Sequence, residues 1–278
     1  MSQTVGPTMN KNLSEQIPVS VFIVAQNEEK HIARVLTSCQ EFDEVIVVDS
    51  GSTDDTKKIA ESLGAKVLHN DWPGYAKQKQ YAMSLCKHDW VLNLDADEEL
   101  TSEFTQAAKN FIQQSEFVAL KCRRNDWFIG KFFPTSIRLP TNTRLFKKDY
   151  VQYYLDNLVH EGPEIKGKIK HTSVAFKHYG YADIETLSKK YEYYSTLKAQ
   201  EKFNKGKKPS RLKLLLVAPL EFIRVYLIYR YCFAGLRGFI FAKLSAHYAF
   251  LKESKLYSYH RSHNHSEKKD SPKVDKHD

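Results

Sequence analysis

Cysteine is scarce and scattered: the four in 278 residues, Cys39, Cys86, Cys122 and Cys232, form no CxxC pair. That argues against a disulfide framework and for reduced thiols in a cytosolic compartment. No GxGxxG follows the first apolar run, so the dinucleotide fingerprint is missing. A Ser-His-Asp or Cys-His hydrolase arrangement has no motif support either. The opening MSQTVGPTMNKNLSEQIP has no apolar signal core, so a cytoplasmic location is expected. An uncharged apolar run of about 20 residues, the minimum for a spanning helix, is also lacking. The most apolar stretch, residues 212–251, is interrupted by Glu221, Arg224, Arg230, Arg237, Lys243 and Pro219.

What is present is a chain with 42% hydrophobic and 27% charged residues, enough apolar content for one large domain with an appendage. Its net charge of +9 is unevenly placed. Residues 1–100 sum to −7 and residues 101–278 to +16, which suggests that the second half meets phosphate, as anionic lipid, nucleic acid or a phosphorylated sugar.

Residues 1–17 are polar and expected to be loose. Four apolar runs follow: VSVFIVA at 19–25, EVIVV at 44–48, residues 65–69 and WVLNL at 90–94. The first two have the length and β-branching of strands buried on both faces, and the other two read as the third and fourth strands. Helical patterns lie between them, one opening at Asn27, one capped by Ser52 or Thr53 and closed by Gly64, and one over residues 75–86. Alternation of this kind predicts an α/β domain with a largely parallel sheet. From Val118 the rhythm changes, with aromatic and basic residues mixed through Lys177. Residues 184–201 read as helix, and KGKK at 205–208 before Pro209 reads as a hinge. Beyond it, two amphipathic helices broken at Pro219, Gly235 and Gly238 are expected over 205–258, with a disordered tail at 259–278. The helices would lie on a bilayer, pack on the catalytic domain or pair two copies of the chain.

Ligands of open α/β sheets bind beyond the carboxyl ends of the strands. Three strand ends here are polar: Ala25-Gln26-Asn27-Glu28, Asp49-Ser50-Gly51 and Asp95-Ala96-Asp97. The first two are also compatible with ordinary turn chemistry. Two carboxylates side by side at a strand mouth repel, and a cation between them relieves the repulsion. Oxygen ligands in small number suit Mg²⁺ or Mn²⁺ gripping a diphosphate. The competing reading is an acidic helix start favoured by the helix dipole.

VSVFIVAQNEE, VIVVDSGSTDDT and WVLNLDADEEL, in this order and spacing, resemble glycosyltransferase family 2, whose GT-A fold is a Rossmann-like, nucleotide-sugar-binding mixed sheet. GYAKQKQYAM, RLFKK, LVHEG, FKHYGY and the 235–238 segment are similar to bacterial lipopolysaccharide or lipooligosaccharide core β-glucosyltransferases, and would extend the likeness to about residue 257. The resemblance implies a GT-A domain over residues 18–204 and a C-terminal helical extension. It implies that Ala25, Asn27 and Glu28 line the nucleotide pocket and that Asp49 accepts a hydrogen bond from uracil. Gln78, Lys79, Asp95 and Ala96 would contact the donor, and Asp97, with Asp95 and His178, would bind Mg²⁺ or Mn²⁺. Inverting transfer needs a general base for the acceptor hydroxyl. Glu161 is the candidate, with His160 beside it and Asp156 as the alternative. Trp127, Arg138 and Arg144 would frame the acceptor or the phosphates.

NDWFIGKFFP and SIRLPTNTRLF depart from the aromatic segments of those transferases, on the acceptor side. The implied reaction moves glucose from UDP-glucose to an inner-core sugar of a lipid-linked acceptor, at the inner face of the cytoplasmic membrane. A polyprenyl-phosphate sugar synthase of the same fold is the enzymatic alternative. A non-catalytic basic protein binding membrane or nucleic acid is the distant one, and no nucleic-acid module is recognisable.

Overall fold

The computed structural model describes residues 16–153, 162–181 and 183–270. Its first half alternates as expected: β1 (Ile17–Ala25), α1 (Ile32–Ser38), β2 (Phe42–Asp49), α2 (Thr56–Ser62), β3 (Lys66–His69), α3 (Tyr75–Ser84) and β4 (Trp90–Asp95). Then come β5 (Glu98–Glu99), α4 (Ser102–Phe111), β6 (Ala119–Phe128), β7 (Lys131–Phe132) and β8 (Thr141–Lys147). β9 (Val151–Gln152), β10 (Glu164–Ile165), β11 (Ile169–His178), α5 (Ile184–Asn204), α6 (Arg211–Ile223) and α7 (Gly235–Asp270) complete the chain.

One mixed sheet runs in the order β3-β2-β1-β4-β8-β6-β11-β5, with β7 on β6. β3, β2, β1 and β4 are parallel. β8 is antiparallel to β4 and β6, and β11 is parallel to β6. The irregular second half thus completes the sheet begun by the first.

Alternation along β1 shows how the sheet is covered. Val19, Val21 and Ile23 face one apolar layer with Val35, Leu36 and Phe104, while Phe22 faces the other with Met83 and Phe146. Strand side chains point alternately to opposite faces, so a run that is apolar at every position needs helices on both sides. Each large side chain so buried contributes about 1.5–3 kcal/mol. A third cluster, including Phe128, Phe133, Leu187, Val225 and Phe241, joins the sheet to the C-terminal helices.

Several boundaries differ from expectation. α1 starts at Ile32 rather than Asn27, because Asn27 is left-handed at φ +56° and reaches across to the next loop. α2 starts at Thr56 rather than after Ser52 or Thr53. The Ser52 hydroxyl and Thr53 amide bond Asn27 instead, and Asp54 accepts from the Thr56 amide. Gly64 does close α2, at φ +79°, with Ala65 N–H donating to the Ala60 carbonyl.

Pro219 does not end a helix. It lies exposed within α6, whose other side packs on α7. A π-helical turn at Arg224–Ile228 follows, and the break comes at left-handed Arg230, φ +66°. Gly238 lies inside α7, where a Cβ would come 1.8 Å from the Tyr231 carbonyl oxygen. The segment expected to be disordered from residue 259 is helical through Asp270. Phe203 packs against Tyr259 and His260, and the His260 ring bonds the Lys207 carbonyl at 3.0 Å. Among the described residues no helix is long and apolar enough to cross a membrane.

Candidate donor and metal site

The parallel strands end in register, Ala25 beside Asp49 and Val24 beside Asp95, so all three polar strand ends open on one edge of the sheet. The first two are clasped together. Ala25 is buried and its carbonyl accepts from the Ser50 amide at 2.9 Å. Asn27 N–H donates to Ser52 Oγ at 2.9 Å, and Asn27 Oδ1 accepts from the Thr53 amide at 2.8 Å. Glu28 N–H donates to Thr56 Oγ1 at 2.7 Å. The Asp49 carboxylate, nearly buried, accepts from the Gly51 and Ser52 amides, both at 3.1 Å.

Gln78 and Lys79, adjacent on α3, are both buried. The Gln78 carboxamide donates to Ser50 Oγ at 3.0 Å and to the Asn70 carbonyl at 2.9 Å, holding the Asp49-Ser50 turn from beneath. Lys79 Nζ donates to Asp95 Oδ1 at 2.8 Å.

The two aspartates of the DAD turn have different environments. Asp95 has both oxygens engaged, Oδ1 by Lys79 and Oδ2 by Arg144 at 2.7 Å. Burial alone would raise its carboxyl, but these two cations hold it well below the ordinary range. Arg144 also bonds Glu98, which is fully buried and pushed up to about 7 by desolvation. Arg144, expected to frame acceptor or phosphates, is therefore a buried counter-ion of Asp95 and Glu98. Ala96 is buried between the two aspartates.

Asp97 instead faces His178. Two-residue β5 pairs with the end of β11, Glu98 opposite His178, and the Tyr179 amide donates to the Asp97 carbonyl at 2.8 Å. This pairing sets His178 Nε2 3.6 Å from Asp97 Oδ2. The parallel register of β11 on β6 puts Asp126 beside His178, and Nδ1 lies 2.7 Å from Asp126 Oδ1. Burial would raise Asp126, but Arg124 and His178 hold it down. An ionised carboxylate there takes the Nδ1 hydrogen and leaves Nε2 turned to Asp97. Lys190 of α5 brings Nζ to 3.5 Å from Asp97 Oδ2.

These three groups converge on space that only glycine leaves open. A Cβ at Gly180 would lie 2.4 Å from Asp97 Oδ2, 2.6 Å from His178 Nε2 and 2.8 Å from Lys190 Nζ. Among the described residues no cluster of three or more His, Cys, Asp or Glu side chains is placed to hold a metal. A carboxylate and an imidazole nitrogen facing each other nevertheless fit a Mg²⁺ or Mn²⁺ ion whose other positions are filled by a diphosphate.

Glu28 belongs to the same electrostatic site. Burial first, and then the Asp97 charge, push its carboxyl up to about 7. Trp127 packs against Phe132 and Tyr179, with ring centroids 5.0 and 5.9 Å apart, next to Asp126 and His178. Arg138 is exposed elsewhere, over the Tyr229 ring at the junction with the helical extension. Asp156, His160 and Glu161 lie outside the described residues. Sequence reasoning missed Asp126, Glu98, Gly180 and Lys190. For Asp126 and Glu98 the available signal was a polar residue inside a strand, unexplained unless its neighbour is known; Gly180, in the turn after β11, and Lys190, on α5, carried no such signal.

Residues 20–170 match glycosyl transferase family 2. The chain belongs to that family. This transferase is 37% identical over 265 residues to an uncharacterized glycosyltransferase of Rickettsia conorii, covering 89% of this chain and 92% of the relative. It is 33% identical over 253 residues to the lipopolysaccharide core biosynthesis glycosyltransferase LpsC of Rhizobium meliloti, covering 88% and 94%. The kinship with lipopolysaccharide core transferases read from the motifs is thus borne out. Among solved structures, S. aureus TarS 1–349 aligns at TM-score 0.47 and 18% identity, covering 89% of this chain and 91% of that 1–349 chain. Glucosyl-3-phosphoglycerate synthase of Mycobacterium tuberculosis, in complex with Mn²⁺ and UDP-glucose, aligns at 0.35 and 27%, covering 38% and 43%. The transferase has the expected GT-A architecture, a Rossmann-like core in a mixed sheet with a C-terminal helical extension.

Proposed function

We propose that this transferase moves a hexose, glucose from UDP-glucose, onto a hydroxyl of a lipopolysaccharide or lipooligosaccharide inner-core sugar, with inversion at the anomeric carbon. The observation that carries the donor half is the convergence of Asp97, His178 and Lys190 over Gly180 at the carboxyl edge of the sheet. The acceptor half rests on the likeness to LpsC, a lipopolysaccharide core biosynthesis glycosyltransferase.

In this reading Asp97 and His178 hold Mg²⁺ or Mn²⁺. A divalent ion supplies positive charge to the diphosphate as its bond to the sugar breaks. Lys190, beside Asp97, adds a second positive charge where the leaving group develops its own. Lys79 and Arg144 act at one remove. By fixing both Asp95 oxygens they hold the DAD turn so that Asp97 keeps its aim.

Ala25, Asn27, Glu28 and Asp49 line the nucleoside side, and Asp49 accepts from the uracil N–H. Ala96 lies against the donor, and Gln78 supports the Asp49-Ser50 turn. Trp127, with Phe132 and Tyr179, offers ring faces to the acceptor sugar. His160 is assigned to the acceptor side, and Glu161, or Asp156 in its place, takes the acceptor hydroxyl proton. The protein works on the inner face of the cytoplasmic membrane, where its lipid-linked acceptor lies.

Calorimetric titration of UDP and UDP-glucose into wild type and Asp97→Ala, with and without Mn²⁺, tests the donor assignment. Mn²⁺-dependent binding that disappears in the variant is the expected result. Absence of nucleotide binding by the folded wild type under every condition refutes it.

A further inference from the structure

α6 turns its apolar side outward. Of its thirteen residues none is buried, although most are aliphatic. Leu212, Leu216, Leu220, Ile223 and Leu227 recur at three- and four-residue steps, the spacing of one helical stripe, and all five are exposed. Leu215 beside them is 74% exposed. Exposed apolar residues continue past the turn at Phe233 and Leu236. A contiguous apolar face of this kind marks a surface that meets something other than water.

The charges around the face have one sign. Residues 205–243 hold nine Lys and Arg against a single acid, Glu221. Arg224 pairs with Glu221 and Lys213 with Glu253. Among the described residues Lys207, Lys208, Arg211 and Arg230 have no carboxylate within ion-pair distance, and Lys243 lies over the Phe222 ring at 4.8 Å. A second copy seated on this face would bring two basic rims together. A bilayer with anionic headgroups matches both the apolar stripe and its rim.

We propose that the outward stripe of α6 and the following turn form a membrane-docking surface, lying in the headgroup–acyl boundary of an anionic bilayer with the basic residues on the phosphates. The surface is independent of the donor site, so the two assignments fail separately. It gives the second-half charge a partner and keeps the transferase beside a lipid-linked substrate without a spanning segment.

Co-sedimentation with phosphatidylcholine vesicles, with and without phosphatidylglycerol, at low and high salt, is the test. The wild type is expected to pellet with the anionic vesicles, and salt is expected to weaken this. The triple variant Leu212→Gln/Leu215→Gln/Leu220→Gln is expected to bind them at least about tenfold more weakly. Because these side chains are exposed, it should keep the wild-type melting temperature and UDP affinity. A wild type that stays in the supernatant, or a variant that pellets equally, overturns the proposal. So does a wild-type dimer that becomes monomeric in the variant while neither binds vesicles.

Discussion

His178 stands between two aspartates brought to it by the strands on either side of β11, Nδ1 2.7 Å from Asp126 and Nε2 3.6 Å from Asp97. The strands set both contacts. β11 lies parallel to β6 with His178 opposite Asp126, and the short β5 brings Asp97 to the other side of the ring. Asp126 fixes the ring so that one nitrogen is available, as second partners of metal-bound histidines do. Asp126→Asn keeps the size and an acceptor but loses the charge, so Mn²⁺-dependent UDP affinity should fall by about 10–100-fold. Calorimetry on the folded variant checks it; unchanged affinity would mean that the ring is oriented by packing alone.

Gly180 is the negative image of the same site. Its backbone does not require glycine, since φ lies outside the left-handed region, but an added methyl would meet Asp97, His178 and Lys190 at 2.4–2.8 Å. All three contacts are with ends of side chains, which can move aside. Gly180→Ala should therefore cost no more than about 1–2 kcal/mol of stability while abolishing Mn²⁺-dependent UDP binding. Parallel denaturant and binding titrations separate the effects, and an alanine variant with wild-type metal dependence would exclude Asp97 and His178 as a ligand pair.

The parallel half of the fold was legible because β1 and β2 each carry a continuous apolar run, VFIVA and VIVV. A segment such as VSVFIVA has few alternatives to a strand covered on both faces. β6 was not legible, since Arg123, Arg124 and Asp126 interrupt its apolar pattern, and Asp126 is accommodated by Arg124 and His178 on neighbouring positions. Pairing of this kind depends on register between distant segments. The DAD turn stood out as a site, but which aspartate faces His178 depended on Lys79 and Arg144 engaging Asp95, and Arg144 was expected instead at the acceptor or the phosphates. α6 misled for the opposite reason. Pro219 resembles a break, whereas the helix continues through it with its leucines in solvent.

Arg144 joins the site to the stability of the core. It bonds Asp95 and Glu98, and its own side chain is 7% exposed. Arg144→Met preserves much of the volume but leaves the buried Glu98 without its cation and Asp95 with Lys79 alone. Breaking a buried ion pair from one side costs about 3–5 kcal/mol, toward the lower end here because Asp95 is partly solvated. Urea denaturation should show that loss at neutral pH. Stability within about 0.5 kcal/mol of wild type would place Arg144 among surface-like substitutions and contradict the buried network.

Glu28 gives the site a pH dependence with a defined sign. Its carboxyl is raised from an ordinary 4.5 to about 7 by burial and then by Asp97. Between those values the folded protein holds a proton that the unfolded chain has lost, so Glu28 makes stability fall as pH rises from about 4.5 to about 7. Below that window both states are protonated, and above it the full penalty is present. Glu28→Gln removes the ionisation while leaving the Thr56 contact, which is made by the Glu28 backbone. The melting temperature of the variant relative to wild type should therefore increase between pH 5 and pH 8, using thermal scans in matched metal-free buffers. A difference that stays constant across that range would show that Glu28 ionises like an ordinary carboxylate and carries no raised charge cost beside Asp97.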